Sequence, residues 1–415
     1  KRNMLIRFSI ENFLSFKERE IFSMIPGKGT LKSHHKTKPI KSISTLKTAV
    51  IYGANASGKS NLIRAIEFGK TLILRGTKAD SLINFSNFKL DENKRVSNSR
   101  IEYEFQHNNK NYAYGFVFNS KEIVEEWLYE LSKKSEKKIF SRDIKAKEQF
   151  DLSGILSKNK KSEERQFLEF LAKSTPSNQL FLTEIRTRKV IDNVSDIIDL
   201  INTLDWFQNS LTVIYPNSKN IAKKFELFDD TNLKEVFTEM LAYFDTGIDG
   251  IEFQDEDINK IDIPSEILLD IEQDLLNEKS EKTNAFLSNT LDDKYYVISI
   301  NEDKSLKARV LKTKHIASDD SYVLFDLKDE SDGTRRIMDL IPLIIDYFKG
   351  DNVFVIDEME RSLHPNLIYD LFDFFLSKCK NINSQIIVAS HESTLLTQKL
   401  LRKDEIWFVA KDKSG

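Results

Sequence analysis

Four short apolar runs punctuate the chain: Ala49-Val50-Ile51-Tyr52, Val353-Phe354-Val355-Ile356, Ile386-Ile387-Val388-Ala389 and Ile406-Trp407-Phe408-Val409. Continuous runs of this length suit strands buried on both faces of a parallel sheet. Between them, Ile337, Leu340, Ile341, Ile344, Ile345 and Phe348 recur at helical spacing, as do Leu367, Ile368, Leu371, Phe372 and Phe375. Pro342 inside the first pattern predicts a kink or a lost hydrogen bond. Strand and helix alternate in the βαβ manner of a doubly wound sheet.

A second pattern has period two. Ile101 to Phe105, Tyr112 to Phe118 and Trp127 to Leu131 alternate in polarity, which predicts half-exposed antiparallel strands forming a side sheet. From Asp151 to Asp293 the pattern is mixed and mostly helical, and the charge run Lys158 to Glu164 reads as a solvated loop. The expected division is a first lobe over residues 4–150, a helical insertion or lid over 151–293, and a second lobe over 294–415. Sustained heptads, internal repeats and low-complexity tracts are absent from the sequence.

Composition narrows the classes. At 415 residues the chain exceeds one typical domain, and 62 basic against 65 acidic side chains leave a formal charge of −3. Nothing in that balance demands a polyanionic partner. The single cysteine, Cys379, excludes an internal disulfide and a thiolate zinc cluster and fits a reducing compartment; a half-buried helical position is its plainest reading. No apolar run reaches membrane-spanning length and the start lacks a signal peptide's apolar stretch, so a cytoplasmic location with no membrane contact is expected.

Chemistry concentrates after the apolar runs. Gly53-Ala54-Asn55-Ala56-Ser57-Gly58-Lys59-Ser60 satisfies G-x-x-x-x-G-K-[ST] between a predicted strand and a predicted helix. Such a loop turns successive N–H groups toward phosphate, and the following helix adds the positive end of its dipole. Lys59 is expected to bridge the terminal phosphates and Ser60 to ligate Mg2+, with Gly53, Asn55, Ala56, Ser57, Gly58 and Asn61 completing the ATP contacts. Asp357 and Glu358 stand at the carboxyl end of a strand, where ligands of open α/β sheets collect; Asp357 is assigned to the metal and Glu358 to polarising the attacking water. His391, just past the next strand, is placed to reach the terminal phosphate.

These motifs, in this order, resemble the heads of ABC-type ATPases: an α/β P-loop NTPase fold with a mixed sheet, an antiparallel side sheet and a helical insertion. Met359-Glu360-Arg361-Ser362-Leu363-His364-Pro365 resembles the segment after the strand-end carboxylates in RecF-like and SMC-like ATPases, and His391 matches their switch histidine. Ser331-Asp332-Gly333-Thr334 is similar to the signature motif that contacts ATP on the other subunit, although Asp332 stands where the family often has glycine. A serine, a glycine and a helix start also make a phosphate cradle on physical grounds, and an ordinary helix cap is the plainer alternative. Ile6 to Phe16 looks like the first strand and turn of these heads, which puts Asn12 near the nucleotide. Gln106 is a candidate for the coupling glutamine, with a surface strand residue as its other reading.

The 272 positions from Lys59 to Ser331 exceed a transporter's needs without the coiled coil of an SMC protein. The likeness is nearest to the ABC-type ATPases of bacterial abortive-infection and phage-defence loci, of the RloA and PARIS kind. OLD-family proteins share the head and append a Toprim nuclease, which is not expected after the Ile406 strand. The resemblance implies ATP and Mg2+, heads paired through ATP as a dimer or higher homo-oligomer, a phage-derived trigger, and a separately encoded nuclease or toxin effector. Two rival readings stay open: a RecF-like repair ATPase binding DNA through lysines such as Lys133, Lys134, Lys137 and Lys138, and an ATP-dependent assembly scaffold.

Overall fold

The computed structural model describes residues 2–411 apart from 79, 133, 157–161, 191–193, 195–196, 219–230, 262, 277–283, 290–293 and 302–304. In chain order the strands are β1 (Met4–Glu11), β2 (Glu20–Ser23), β3 (Thr48–Tyr52), β4 (Ser99–His107), β5 (Lys110–Phe118), β6 (Ile123–Leu131), β7 (Glu136–Asp143), β8 (Phe150–Asp151), β9 (Leu211–Ile214), β10 (Gly250–Glu256), β11 (Asn284–Asn289), β12 (Lys294–Ile300), β13 (Leu306–Ile316), β14 (Tyr322–Asp326), β15 (Val353–Asp357), β16 (Gln385–Ala389) and β17 (Ile406–Phe408). They fall into two compact units. One comprises Lys1–Pro216, Tyr347–Glu360 and Ile368–Gly415, the other Asn217–Asp346 and Arg361–Leu367.

The first unit holds two sheets. All four apolar runs enter one parallel sheet of order β17-β3-β16-β15-β9. β3, β15 and β16 are buried at every position, which is why their sequences carry no polar alternation. The helix Lys59–Arg75 contacts β15 and β9, and the helix Pro365–Lys378 buries Ile368, Leu371, Phe372 and Phe375. In the second unit, to which residues 332–346 belong, the helix Asp332–Lys349 continues through Pro342 without a break. Burial of Leu340, Ile341 and Ile344 around the proline offsets the hydrogen bond it cannot donate.

The second sheet is antiparallel, of order β2-β1-β4-β5-β6-β7-β8. Its strands are more buried than half-exposed strands would be. On one face Tyr103, Phe105, Tyr112 and Tyr114 pack on Trp206 and Phe207, with Phe105 and Trp206 stacked at 4.4 Å. On the other face the Trp127 ring lies across Gly115, and the Arg100 guanidinium stacks over it at 4.2 Å. Even the outward positions of β5 are therefore covered.

Within the second unit, β10-β13-β12-β11, with β14 beside β13, make an antiparallel sheet. Tyr296, Ile298, Ala308 and Val310 pack there with Ile271 and Leu275 of the helix Ser265–Leu276. The stretch expected to be mostly helical thus carries strands β9, β10 and β11 as well as helices, and its helices Phe181–Thr187 and Ile198–Asp205 lie in the first unit. Sequences such as Gly250-Ile-Glu-Phe-Gln-Asp-Glu256 hold too few apolar residues for a period-two signal to emerge. Part of the expected charged loop, residues 157–161, lies outside the described residues. Among the described residues no helix is long and apolar enough to cross a membrane.

One amide ties the two sheets of the first unit together. Gln385, fully buried at the start of β16, accepts the Leu5 N–H at 2.9 Å and donates to Leu5 O at 3.1 Å and Leu46 O at 2.8 Å. Leucine at this position would leave three buried backbone groups unpaired, each costing about 1–3 kcal/mol. Gln385→Leu is expected to lower the unfolding free energy by about 3–9 kcal/mol, read as a lower urea midpoint with an unchanged slope.

Candidate nucleotide-binding site

The site grows out of the register of β16, which pairs with β3 on one side and β15 on the other, so that Ala389 lies opposite both Ile51 and Asp357. Past the paired residues the ladder continues for one more bond on each side. The Glu358 N–H donates to Ala389 O at 3.1 Å, and the Ser390 N–H donates to Ile51 O at 3.0 Å. The glycine loop, the two carboxylates and His391 therefore leave three adjacent strands at the same level.

The loop itself needs unusual backbone. Gly58 sits at φ 116° and Ala56 at φ 61°. A Cβ at Gly53 would lie 2.4 Å from Ser57 Oγ and Val409 O, and one at Gly58 would lie 2.9 Å from Ser15 Oγ. Ala54, Asn55 and Ala56 are exposed at the crest of the turn. Lys59 is buried, and its ammonium donates to Gly53 O at 2.7 Å and Ala54 O at 3.3 Å and comes within 3.5 Å of His391 Nδ1. Ser60 Oγ donates to Asp357 Oδ1 at 3.1 Å. Asn61 turns aside, donating to Ser15 Oγ at 3.0 Å. The buried Ser57 Oγ has no hydrogen-bond partner among the described residues.

The electrostatics are those of a cation among three carboxylates. Burial pulls the Lys59 ammonium below its ordinary pKa, and Glu360, Asp357 and Glu358 pull it back up. Burial likewise lifts Asp357 above the usual carboxylate range, against the hydrogen bond from Ser60. Glu358 occupies the left-handed region at φ 46°, which an L residue holds only under constraint from its surroundings. An anionic ligand carrying a hard cation suits this set: one ammonium, loop N–H groups, a hydroxyl and a carboxylate with the same cation in reach.

Several residues join the site that sequence reasoning gave no individual role. Glu360 Oε1 accepts the His391 N–H at 2.6 Å, while its buried Oε2 has no hydrogen-bond partner among the described residues. The Tyr52 hydroxyl, likewise buried without a partner among the described residues, is raised above its ordinary pKa by burial and by Glu360 and Glu392. Tyr215, just past β9, is pushed up to about 12 by burial, Glu67 and Asp357. Of these only Glu360 had a signal, its place two residues after Glu358. Tyr52 and Tyr215 arrive through strand order, which no local pattern encodes.

Asn12 is a correction. Its side chain is fully buried, donating to Lys94 O at 2.7 Å and Ser97 O at 3.0 Å and accepting the Phe88 N–H at 3.2 Å. That amide ties down the loop before β4 and has no capacity left for a nucleotide. Gln106 is neither free nor on the surface, since it is fully buried in β4 and donates to Ile43 O at 3.1 Å. In the second unit, Ser331 is exposed and caps the helix Asp332–Lys349, its Oγ accepting the Thr334 N–H at 3.0 Å. A Cβ at Gly333 would lie 3.0 Å from Ser362 O, so the serine-glycine turn packs directly on the segment after Glu360. Among the lysines offered for DNA, Lys138 pairs with Asp151 at 2.9 Å, and Lys133 lies outside the described residues.

A search among curated proteins finds no match to the sequence. Similar solved structures include the Smc head bound to the C-winged helix domain of ScpA, 13% identical with a TM-score of 0.41 over 99% of this chain and 95% of that one. An SMC head domain from Thermotoga maritima is 10% identical with a TM-score of 0.35, over 94% of this chain and 90% of that one. The Smc head domain with an extended coiled coil bound to the C-terminal domain of ScpA, derived from Pyrococcus furiosus, is 12% identical with a TM-score of 0.42, over 99% and 94%. The sequence itself matches a family model, described as "AAA domain, putative AbiEii toxin, Type IV TA system", across residues 49–397, a span that holds the glycine loop, both carboxylates and His391. Matched over most of its length, the chain belongs to that AAA-domain family of putative abortive-infection toxins.

Proposed function

We propose that this chain binds ATP with Mg2+ at the Lys59 site and hydrolyses it between two copies of itself, as the regulatory ATPase of an abortive-infection system. The observation that carries the reading is the meeting of Lys59 with His391 at 3.5 Å and of Ser60 with Asp357 at 3.1 Å, on adjacent residues that end one loop, at the carboxyl ends of three neighbouring strands. Magnesium, when bound, supplies charge neutralisation at the phosphate oxygens. Ser60 and Asp357 hold it, the loop N–H groups and Lys59 hold the phosphates, and Glu358 takes the proton of the attacking water. The cavity of about 410 Å³ beside Ser57, walled by Phe22 and Trp407, receives the base.

The second cradle comes from the partner copy: Ser331 and Gly333 at a helix start offer donors to phosphates that a lone head leaves half-contacted. ATP closes the pair and hydrolysis reopens it, so the molecule acts as a switch in the cytoplasm. Family membership supports the abortive-infection setting. Within it, the two-state head senses a phage-derived trigger and restrains or releases a separately encoded nuclease. The helical segments between residues 151 and 293, with the antiparallel sheet of the second unit, serve as the lid and partner platform.

Two measurements test this scheme. Glu358→Gln is expected to keep ATP affinity, lose roughly 10²–10⁴-fold in turnover and raise ATP-dependent self-association in sedimentation; unchanged turnover would remove Glu358 from the chemistry. Ser331→Arg places a bulky cation at the exposed helix cap. It is expected to leave ATP binding by the single head within about twofold while abolishing ATP-driven association and most turnover, by analogy with removal of a preorganised donor. Association unaffected by this change would mean that the second cradle lies elsewhere.

A further inference from the structure

Away from the glycine loop, a turn in the strap between β2 and β3 meets the end of the helix Pro365–Lys378. His34 and His35 close the turn Ser33–His35, and Cys379 stands just past the helix. One ligand-type atom from each of the three residues lies within 4.8 Å of the others. His35 and Cys379 are buried, while His34 is partly open to solvent. We propose that His34, His35 and Cys379 form a binding site for one divalent zinc-class ion, independent of the nucleotide.

The donor set argues for this metal class. Two imidazoles and a thiolate are borderline-soft ligands that select zinc or cobalt over magnesium or calcium. Ligand atoms around a tetrahedral zinc are about 3.5–4 Å apart, so small side-chain rotations suffice to close the set. The outer shell is already in place. The buried Glu405 carboxylate holds His35 Nδ1 at 2.9 and 3.1 Å, the arrangement that fixes a metal-binding imidazole with its other nitrogen free as a lone pair. Burial pushes the Cys379 thiol up to about 11, and the Lys47 ammonium, donating to Cys379 O at 2.5 Å, offsets this only in part, so the ion itself has to displace the thiol proton. Binding exchanges the thiol proton for the ion, and the proton leaves to solvent. Burial first, then His35 and the charges of Lys32, Lys47 and Lys380, lower the His34 pKa and favour the neutral ring a ligand must be, while the lysines also weaken the site's grip on a cation. The fourth position falls to water. A mixed site of this kind needs only the one cysteine the chain has.

The ion would pin the turn whose His35 carbonyl accepts the Lys47 N–H at 2.8 Å, one residue before β3 begins. The test uses the whole chain, stripped with a chelator and titrated with Co2+ alone. One equivalent is expected to give a sulfur-to-cobalt charge-transfer absorption that Zn2+ displaces. Cys379→Ser should abolish that band. His34→Asn, a change at a partly exposed position, should weaken Co2+ binding at least tenfold with an unchanged far-ultraviolet spectrum. Absence of the band at excess Co2+ overturns the proposal, as does wild-type binding by both variants. Neither result bears on ATP binding.

Discussion

The backbone of Ala389 and Ser390 is the constraint on which the site depends. One carbonyl and one amide, on successive residues of a single strand, reach Glu358 on one side and Ile51 on the other. Because residue periodicity along a strand is two, a one-residue slip of β16 would turn its side chains to the opposite faces and shift His391 by over 3 Å relative to Lys59. The uninterrupted burial of β3, β15 and β16 makes that slip costly. Apolar packing on both faces of the sheet thus sets the relative positions of residues that never touch the core themselves.

The same economy governs the buried polar groups. Lys59 is withdrawn from water yet satisfied by two loop carbonyls, and its charge is balanced by carboxylates that the sheet delivers from a different part of the chain. Glu126 in the antiparallel sheet follows the same rule: fully buried, it accepts the Phe181 and Leu182 N–H groups at 2.7 and 3.1 Å and the Tyr114 hydroxyl at 2.8 Å. A carboxylate at the start of a helix is favoured by the helix dipole as well as by those donors. Burial alone would raise its pKa, and Arg142 and the two amides hold it down in part. By contrast, Ser57 Oγ in the loop and Glu360 Oε2 are buried without a hydrogen-bond partner among the described residues, and both belong to segments that carry the site.

What was legible in the sequence was what local chemistry dictates. The glycine loop announces its own backbone, and an apolar run that stops at a carboxylate announces a buried strand end, so the sequence points to Lys59, Ser60, Asp357 and His391, which the fold brings close together. The likeness to abortive-infection ATPases rested on those motifs, and the family match bears it out. Illegible were the features that depend on long-range pairing. β9 is four residues long, and only its partner β15 identifies it as a member of the parallel sheet. Asn12 sits in a segment that looks right for a nucleotide contact, but its side chain is captured by a loop some eighty residues later in the sequence, an encounter no periodicity records. The strands of the second unit were hidden by charge, because a sheet that needs only one apolar face can carry Glu and Lys at the remaining positions.

Glu358 holds a left-handed backbone at φ 46°, and Ser362, four residues on, holds another at φ 65°. Such conformations cost of order 1–3 kcal/mol each in non-glycine residues and persist only where neighbours enforce them. Glu358 is held by its bond to Ala389, while the Ser362 carbonyl is packed close against Gly333, where a Cβ would lie 3.0 Å from its oxygen. Each left-handed residue thus belongs to a turn held by its own surroundings, Glu358 by the ladder bond beside the carboxylates and Ser362 by its packing on Gly333, and Glu360, between them in sequence, accepts the His391 N–H.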